Sequence, residues 1–169
     1  LRLDGETSAR RTLAVFGAGS SLVATNLANL TFGGNTAVRV SDGAVARLGV
    51  ASGDWGLRTT AASAADRAFV SELTVEGAET RVHPARRFVV AGNAGNDRAR
   101  LTVNGGYWGP EDLSAVGTHT TLVVGQGDGT GTVELNGGEM RLPVAGTADA
   151  EACCIIGPGS ASLTVNQGS

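Results

Sequence analysis

The sequence contains no lysine, few aromatic residues and no long hydrophobic run. All 13 basic residues are arginine, aromatic residues make up only 4% of the 169 positions, and the formal net charge is −3. No segment approaches the roughly 18–20 apolar residues of a membrane-spanning helix, so we expect no membrane insertion of this segment. A slightly acidic chain without a basic face gives no reason to expect a nucleic-acid partner.

The two cysteines and the two histidines are not spaced as a catalytic group or as a set of metal ligands would be. Cys153 and Cys154 are adjacent, and neighbouring side chains of a strand point to opposite faces, so we interpret them as small apolar fillers. A strained vicinal disulfide and a partner cysteine on another chain remain alternatives. His83 and His119 have no second ligand at metal spacing. We therefore expect no metal, no cofactor and no catalytic residues, and the chain is predicted not to be an enzyme.

Glycine is the residue type present in excess. Glycine accounts for 26 of the 169 residues, about twice its usual share of roughly 7%. Hydrophobic residues make up 41% of the chain. Many glycines and few large rings indicate tight turns around a thin core of short strands. A helical stripe of apolar residues is absent except around residues 61–68.

Two short patterns recur along the chain. The first is an apolar run that ends in glycine, with copies at Leu13–Gly17, Ala46–Gly49, Phe88–Gly92, Leu122–Gly125 and Cys154–Gly157. The second alternates apolar and polar residues before a turn, with clear copies at Leu73–Gly77, Leu101–Gly105, Val133–Gly137 and Leu163–Gln167, and fainter ones at Leu1–Gly5 and Val38–Gly43. A third, shorter element follows two of these copies, at Ala78–Val82 and Gly138–Leu142.

Three short strands per repeat predict a stacked, all-β architecture. A strand of four or five residues cannot bury its apolar side alone, whereas stacked coils share one continuous core. We predict a parallel β-helix, or β-solenoid, of about five coils of roughly 30 residues, in which Leu101, Val133 and Leu163 form one interior column. An antiparallel β-sandwich is the structural alternative.

The repeats divide the chain into a less regular and a more regular part. We predict one segment, 1–169, of a longer protein, with irregular coils over 1–85, an insertion near 53–70, and regular repeats over 86–169. Loop variation of this kind is expected on the outside of a solenoid.

The regular part resembles a known repeat family. The stretch Leu122–Gly138 is similar to the glycine-rich repeat of autotransporter passenger domains and PEP-CTERM-associated surface proteins, and Val89–Gly106 and Cys154–Gly168 resemble two further copies. The resemblance implies a right-handed coil in a protein that is secreted or displayed on a bacterial cell surface.

Three asparagines and one aromatic pair are the candidate site residues. Asn104, Asn136 and Asn166 share one position in successive repeats, so stacked coils place their amides about 4.8 Å apart, close enough for a hydrogen-bonded ladder. Tyr107 and Trp108 form a candidate glycan-contacting pair, because an aromatic ring can stack on a sugar. The spacing also makes Glu79 equivalent to Glu139 and Arg81 to Arg141, on a solvated charged face.

These observations favour a structural function over a catalytic one. We expect a non-catalytic extracellular structural or adhesive β-solenoid that is displayed on a cell surface or builds filaments. Its expected partners are further copies or flanking repeats of the same protein, end to end, and surface glycans. A polysaccharide-binding or polysaccharide-degrading β-helix protein is the alternative.

Overall fold

The computed structural model describes eleven stretches of the chain, which together outline its architecture. They are residues 2–3, 9–27, 31–32, 35–50, 54–57, 70–84, 87–92, 98–111, 121–142, 154–157 and 159–168.

The strands form three stacks. The first stack, in order, is β1 (Arg2–Leu3), β4 (Thr31–Phe32), β7 (Asp54–Leu57), β10 (Arg87–Val90), β13 (Thr121–Val124) and β15 (Cys154–Ile156). The second is β2 (Arg11–Phe16), β5 (Thr36–Ser41), β8 (Val70–Glu76), β11 (Arg98–Asn104), β14 (Thr130–Met140) and β16 (Ser160–Gly168). The third is β3 (Ser21–Leu27), β6 (Val45–Val50), β9 (Arg81–Pro84), β12 (Tyr107–Trp108) and the second half of β14.

All pairs between these named strands are parallel. The chain visits the first, second and third stacks in turn, so neighbours within a stack come from successive passes. The described residues contain strands and turns but no helix. The protein is therefore all-β with mostly parallel sheets, an arrangement that fits a β-solenoid, and the antiparallel sandwich alternative is wrong.

The interior column predicted from the repeats is confirmed in the second stack. Leu101 lies opposite Leu73 on one side and Val133 on the other, and Val133 lies opposite Leu163. The first three side chains are fully buried, whereas Leu163, on the last described strand of the stack, is 37% exposed. Strand alternation sends Thr102, between two inward residues, to the outside.

Glycines form the corners between the second and third stacks. Gly105 and Gly137 follow β11 and the first half of β14 with φ angles of 77° and 73°, a left-handed conformation that glycine adopts without steric cost. Each of these corners takes two residues, since Tyr107 and Glu139 already pair with the third stack. The corner after β8 is longer, because four residues, 77–80, separate Glu76 from Arg81.

The irregular first half departs from the predicted alignment of the apolar runs. Leu13–Gly17 and Ala46–Gly49 were predicted to be copies of the element at Phe88–Gly92, but their strands β2 and β6 belong to the second and third stacks, while Phe88 lies in the first. An apolar run that ends in glycine is ambiguous, because such a run occurs before corners of more than one stack. The predicted insertion near 53–70 falls mostly on residues 58–69, which lie outside the described residues.

Candidate functional site

The three predicted asparagines are linked by their side-chain amides. Asn136 Nδ2 donates to Asn104 Oδ1 at 3.0 Å, and Asn166 Nδ2 donates to Asn136 Oδ1 at 2.5 Å. Asn104 pairs in register with Asn136, whereas β16 carries a register shift that places Gln167 opposite Asn136. Both hydrogen bonds run in the same sense, with the donor on the later strand.

The asparagine ladder ends at β11, because β8 carries a glutamate, Glu76, at the equivalent position. Glu76 lies level with Asn104, and its carboxylate pairs with Arg39 at 2.7 Å on the other side. Both members of this ion pair are about half exposed, so the pair adds little stability. The polar row at this corner therefore changes from charged to amide side chains between β8 and β11.

A buried threonine secures the longer corner. Thr80 is fully buried, its hydroxyl donates to the Glu76 carbonyl at 2.6 Å, and the same oxygen accepts the Gly43 N–H at 3.0 Å. Gly43 belongs to the corner of the preceding pass, so one hydroxyl links two neighbouring corners. Sequence patterns did not single out Thr80, although a threonine three residues after a corner glycine is visible in the sequence.

Trp108 does not form the predicted glycan-contacting surface. Its side chain is fully buried and its ring lies 5.7 Å from that of Phe88 in the core. Among the residues that the structure describes, the indole Nε1 finds no hydrogen-bond partner. Strand alternation explains the difference, since Trp108 occupies the inward position of β12, level with Val82 and Met140. A sugar cannot stack on a ring inside the core, so this prediction is corrected.

Tyr107 points outward but is covered. It is only 9% exposed, its hydroxyl donates to the Pro110 carbonyl at 2.8 Å, and the Arg81 guanidinium lies 5.6 Å from its ring centroid. Burial raises the pKa of the Tyr107 phenol. The ring thus supports the chain that follows β12 and offers little free surface to a ligand.

The charged positions of the third stack differ from the predicted alignment. Tyr107 pairs with Arg81 on one side and Glu139 on the other, so Arg81 and Glu139 share one position. Glu79 lies in the corner before β9 instead. The predicted equivalence of Glu79 with Glu139 and of Arg81 with Arg141 is therefore wrong, because the four-residue corner after Glu76 displaces the alignment by two residues.

A short strap, defined as residues 109–111, follows β12: the Gly109 N–H donates to the Val82 carbonyl at 3.0 Å, and the Glu111 side chain reaches Arg47 of β6. Arg47 Nε donates to Glu111 Oε2 at 2.7 Å, and Arg47 Nη2 contacts the second carboxylate oxygen. Beneath the strap, His83 is 9% exposed and its Nδ1–H donates to the Gly109 carbonyl at 3.1 Å. Burial lowers the pKa of His83, whereas the hydrogen bond from Arg47 lowers the pKa of Glu111.

The last described strands leave core-facing side chains uncovered. Ile156 is 56%, Leu163 37% and Val165 58% exposed, whereas Val124 and Leu135, opposite Ile156 and Val165, are buried. Each exposed residue continues an interior column of the first or second stack. Within the described residues, this end therefore presents apolar side chains on β15 and β16, whose printed strand pairings are with β13 and β14.

Metal-binding clusters and surface depressions are the remaining features of interest in this part of the chain. No group of three or more His, Cys, Asp or Glu side chains that could hold a metal occurs among the described residues. A surface depression of about 160 Å³ lies between β14 and β16. It is lined by small residues: Thr130, Gly131, Thr132, Ser160, Ala161 and Ser162. Cys153 and His119 lie outside the described residues.

The described part of the chain contains no helix that is long and apolar enough to cross a membrane.

Comparison with protein-family models, with curated proteins and with solved structures finds no match.

Proposed function

We propose that the chain is part of a non-catalytic, extracellular structural or adhesive β-solenoid, a right-handed parallel β-helix of about five coils. The observation that carries the proposal is the parallel register of the second stack, in which Leu73, Leu101 and Val133 continue one buried column. Such a column stiffens the stack of coils along its axis. Each coil buries its apolar side chains fully only when another coil packs above it and another below it.

The exposed end of the structure supports assembly with further coils. Ile156, Leu163 and Val165 would each lose water contact if another coil added, at about 25 cal/mol per Å² of apolar surface buried. Among the described residues β16 pairs with β14 alone, so its other edge would offer backbone donors and acceptors to the same partner. The partner that fits both features is a coil of the same kind, either from a second copy or from flanking repeats.

Surface display is supported by the glycine-rich repeat over 122–138, which resembles that of autotransporter passengers and PEP-CTERM-associated proteins. The polysaccharide-binding alternative has less support, since Trp108, one of the two residues that suggested it, is fully buried. We therefore propose surface display or filament building as the role and a bacterial cell surface as the location.

Sedimentation velocity and electron microscopy over a range of concentrations test the proposed function. We expect the purified chain to form larger species as concentration rises, and the double substitution Leu163→Asp/Val165→Asp to abolish them, because it places two charges on the exposed apolar end. Thr164→Asp is the matched control, since it adds a charge to the same strand on its outer side and should leave assembly unchanged. A chain that stays monomeric at every concentration contradicts the proposal.

A further inference from the structure

An ion pair on the outer side of the third stack spans the strand that carries His83. Strand β9 lies between β6 and β12, whereas Arg47 belongs to β6 and Glu111 follows β12. The two side chains meet through both carboxylate oxygens, with Arg47 Nε donating to Glu111 Oε2 at 2.7 Å. His83 lies level with Arg47 in the register of β6 and β9. This ion pair, the clasp, therefore closes over β9 next to the imidazole.

His83 and Tyr107 are packed together against the strap. The His83 Nδ1–H donates to the Gly109 carbonyl at 3.1 Å, and the Tyr107 hydroxyl donates to the Pro110 carbonyl at 2.8 Å. The centroids of the two rings lie 5.7 Å apart, and each residue is only 9% exposed. Both rings thus bond the backbone of the strap, so a displacement of the strap would give water access to both.

A second proton on His83 would meet unfavourable charges in this position. Nδ1 already carries a hydrogen, so the proton would add at Nε2. Among the described residues, the charged groups that act on the ring are Arg47 of β6, Arg81 of β9 and Glu111 of the strap. Two guanidinium groups thus oppose one carboxylate, and the clasp already engages that carboxylate. Burial lowers the pKa of His83, since a charged imidazole is more stable where water reaches it.

The contacts that hold the strap are weaker than those that hold the stacks. The clasp is partly exposed, with 38% of the Arg47 side chain and 53% of the Glu111 side chain accessible to water, and an exposed ion pair contributes little. The strands on either side bury their apolar side chains in the common core. Local opening of the strap should therefore require less free energy than unfolding of the stacks.

We propose that the clasp and the strap form a pH-dependent latch, which is closed at neutral pH and opens locally as the pH falls below about 6.5. Opening hydrates the protonated His83 and exposes the Tyr107 ring on the outer face of the third stack, while the stacks stay paired. The closed state is favoured while His83 is neutral and loses its advantage as the pH decreases. The latch goes beyond the proposed function and does not depend on it, because it concerns the outer side of the coils.

Hydrogen exchange followed by mass spectrometry tests the latch. The wild-type chain is compared with His83→Gln, which keeps a side-chain donor but does not titrate, at the same pH so that intrinsic exchange rates cancel. We expect the ratio of the wild-type rate to the variant rate over 107–111 to rise at least about threefold between pH 8 and pH 5. The same ratio over 98–104, strand β11, should stay constant, because the opening is local.

A second pair of variants tests the clasp itself. At pH 8, Glu111→Gln should speed exchange over 107–111 by about twofold to fivefold, the effect of losing a partly exposed ion pair. Glu76→Gln is the matched control, since it removes a carboxylate that pairs with Arg39 in the second stack and should leave the strap unchanged. This comparison also decides the matter if His83→Gln does not fold.

Three results would overturn the latch. They are a constant ratio over 107–111 at both pH values, an equal rise over 98–104, which would make the pH effect one of the whole fold, and equal exchange of the strap in Glu111→Gln and Glu76→Gln. None of these results bears on self-association, which sedimentation measures separately.

Discussion

The side-chain amide of Asn136 makes two hydrogen bonds: its Nδ2 donates to Asn104, and its Oδ1 accepts from Asn166. Each such bond contributes about 1 kcal/mol, so the ladder contributes modestly to stability. The ladder persists through the register shift of β16, since Asn166 still donates to Asn136 although Gln167 lies opposite Asn136. Glycine has the complementary role at the next position, where Gly105 and Gly137 adopt positive φ angles.

Two adjacent glycines at one corner should differ sharply in their tolerance of alanine. A Cβ on Gly138 would lie 2.6 Å from the Gly106 carbonyl oxygen and 2.8 Å from Val103 Cγ1, whereas a Cβ on Gly137 meets nothing within 4 Å. We expect Gly138→Ala to lower the free energy of unfolding by about 3 kcal/mol through backbone displacement. Gly137→Ala should cost about 1 kcal/mol, from its left-handed backbone alone. Urea denaturation measures both, and equal effects would show that the corner is not closely packed.

At the scale of elements, the strap over 109–111 protects one titratable side chain. His83 is held between β6 and β12, with Arg47, Arg81 and Glu111 as its charged neighbours and Gly109 as its backbone acceptor. Burial is the largest cause of its lowered pKa. The unfolded chain therefore binds a proton at a higher pH than the folded chain does, so stability falls as pH decreases below about 6.5.

His83→Gln should flatten this pH dependence, because glutamine keeps a side-chain donor but does not titrate. We expect the wild-type protein to lose more unfolding free energy than His83→Gln when the pH is lowered from 8 to 5. Comparing the two proteins removes the contributions of other titrating groups, His119 included. If urea denaturation gives the same pH dependence for both, His83 is not buried beneath the strap.

The regular elements could be predicted from the sequence, and the irregular ones could not. Leu101, Val133 and Leu163 reveal their shared column because alternation repeats at nearly constant spacing. Strand β7 lacks an alternating pattern, and its place in the first stack is set by pairing with β10. Trp108 was misplaced because a two-residue strand is too short for its inward and outward positions to be inferred from alternation.

At the scale of the whole molecule, the three stacks account for most of the physical behaviour we propose. Their inner columns form one core that includes Phe32, Leu48, Phe88 and Trp108, all buried. Burying each such side chain stabilises the fold by about 1.5–3 kcal/mol. Since the core is continuous along the axis, a further coil of the same kind would extend it without a change of geometry.

Spin-label distances measured by pulsed EPR test the stacked order most directly. Ala14, Glu134 and Thr164 share one outward column of the second stack. In a cysteine-free background diluted with unlabelled protein, labels at Ala14→Cys and Glu134→Cys should lie about 19 Å apart, four strand spacings, and labels at Ala14→Cys and Thr164→Cys about 24 Å apart, five spacings. An increase of about one strand spacing between the two pairs is the predicted result. Equal distances, or a shorter one for Thr164, would contradict the parallel stack.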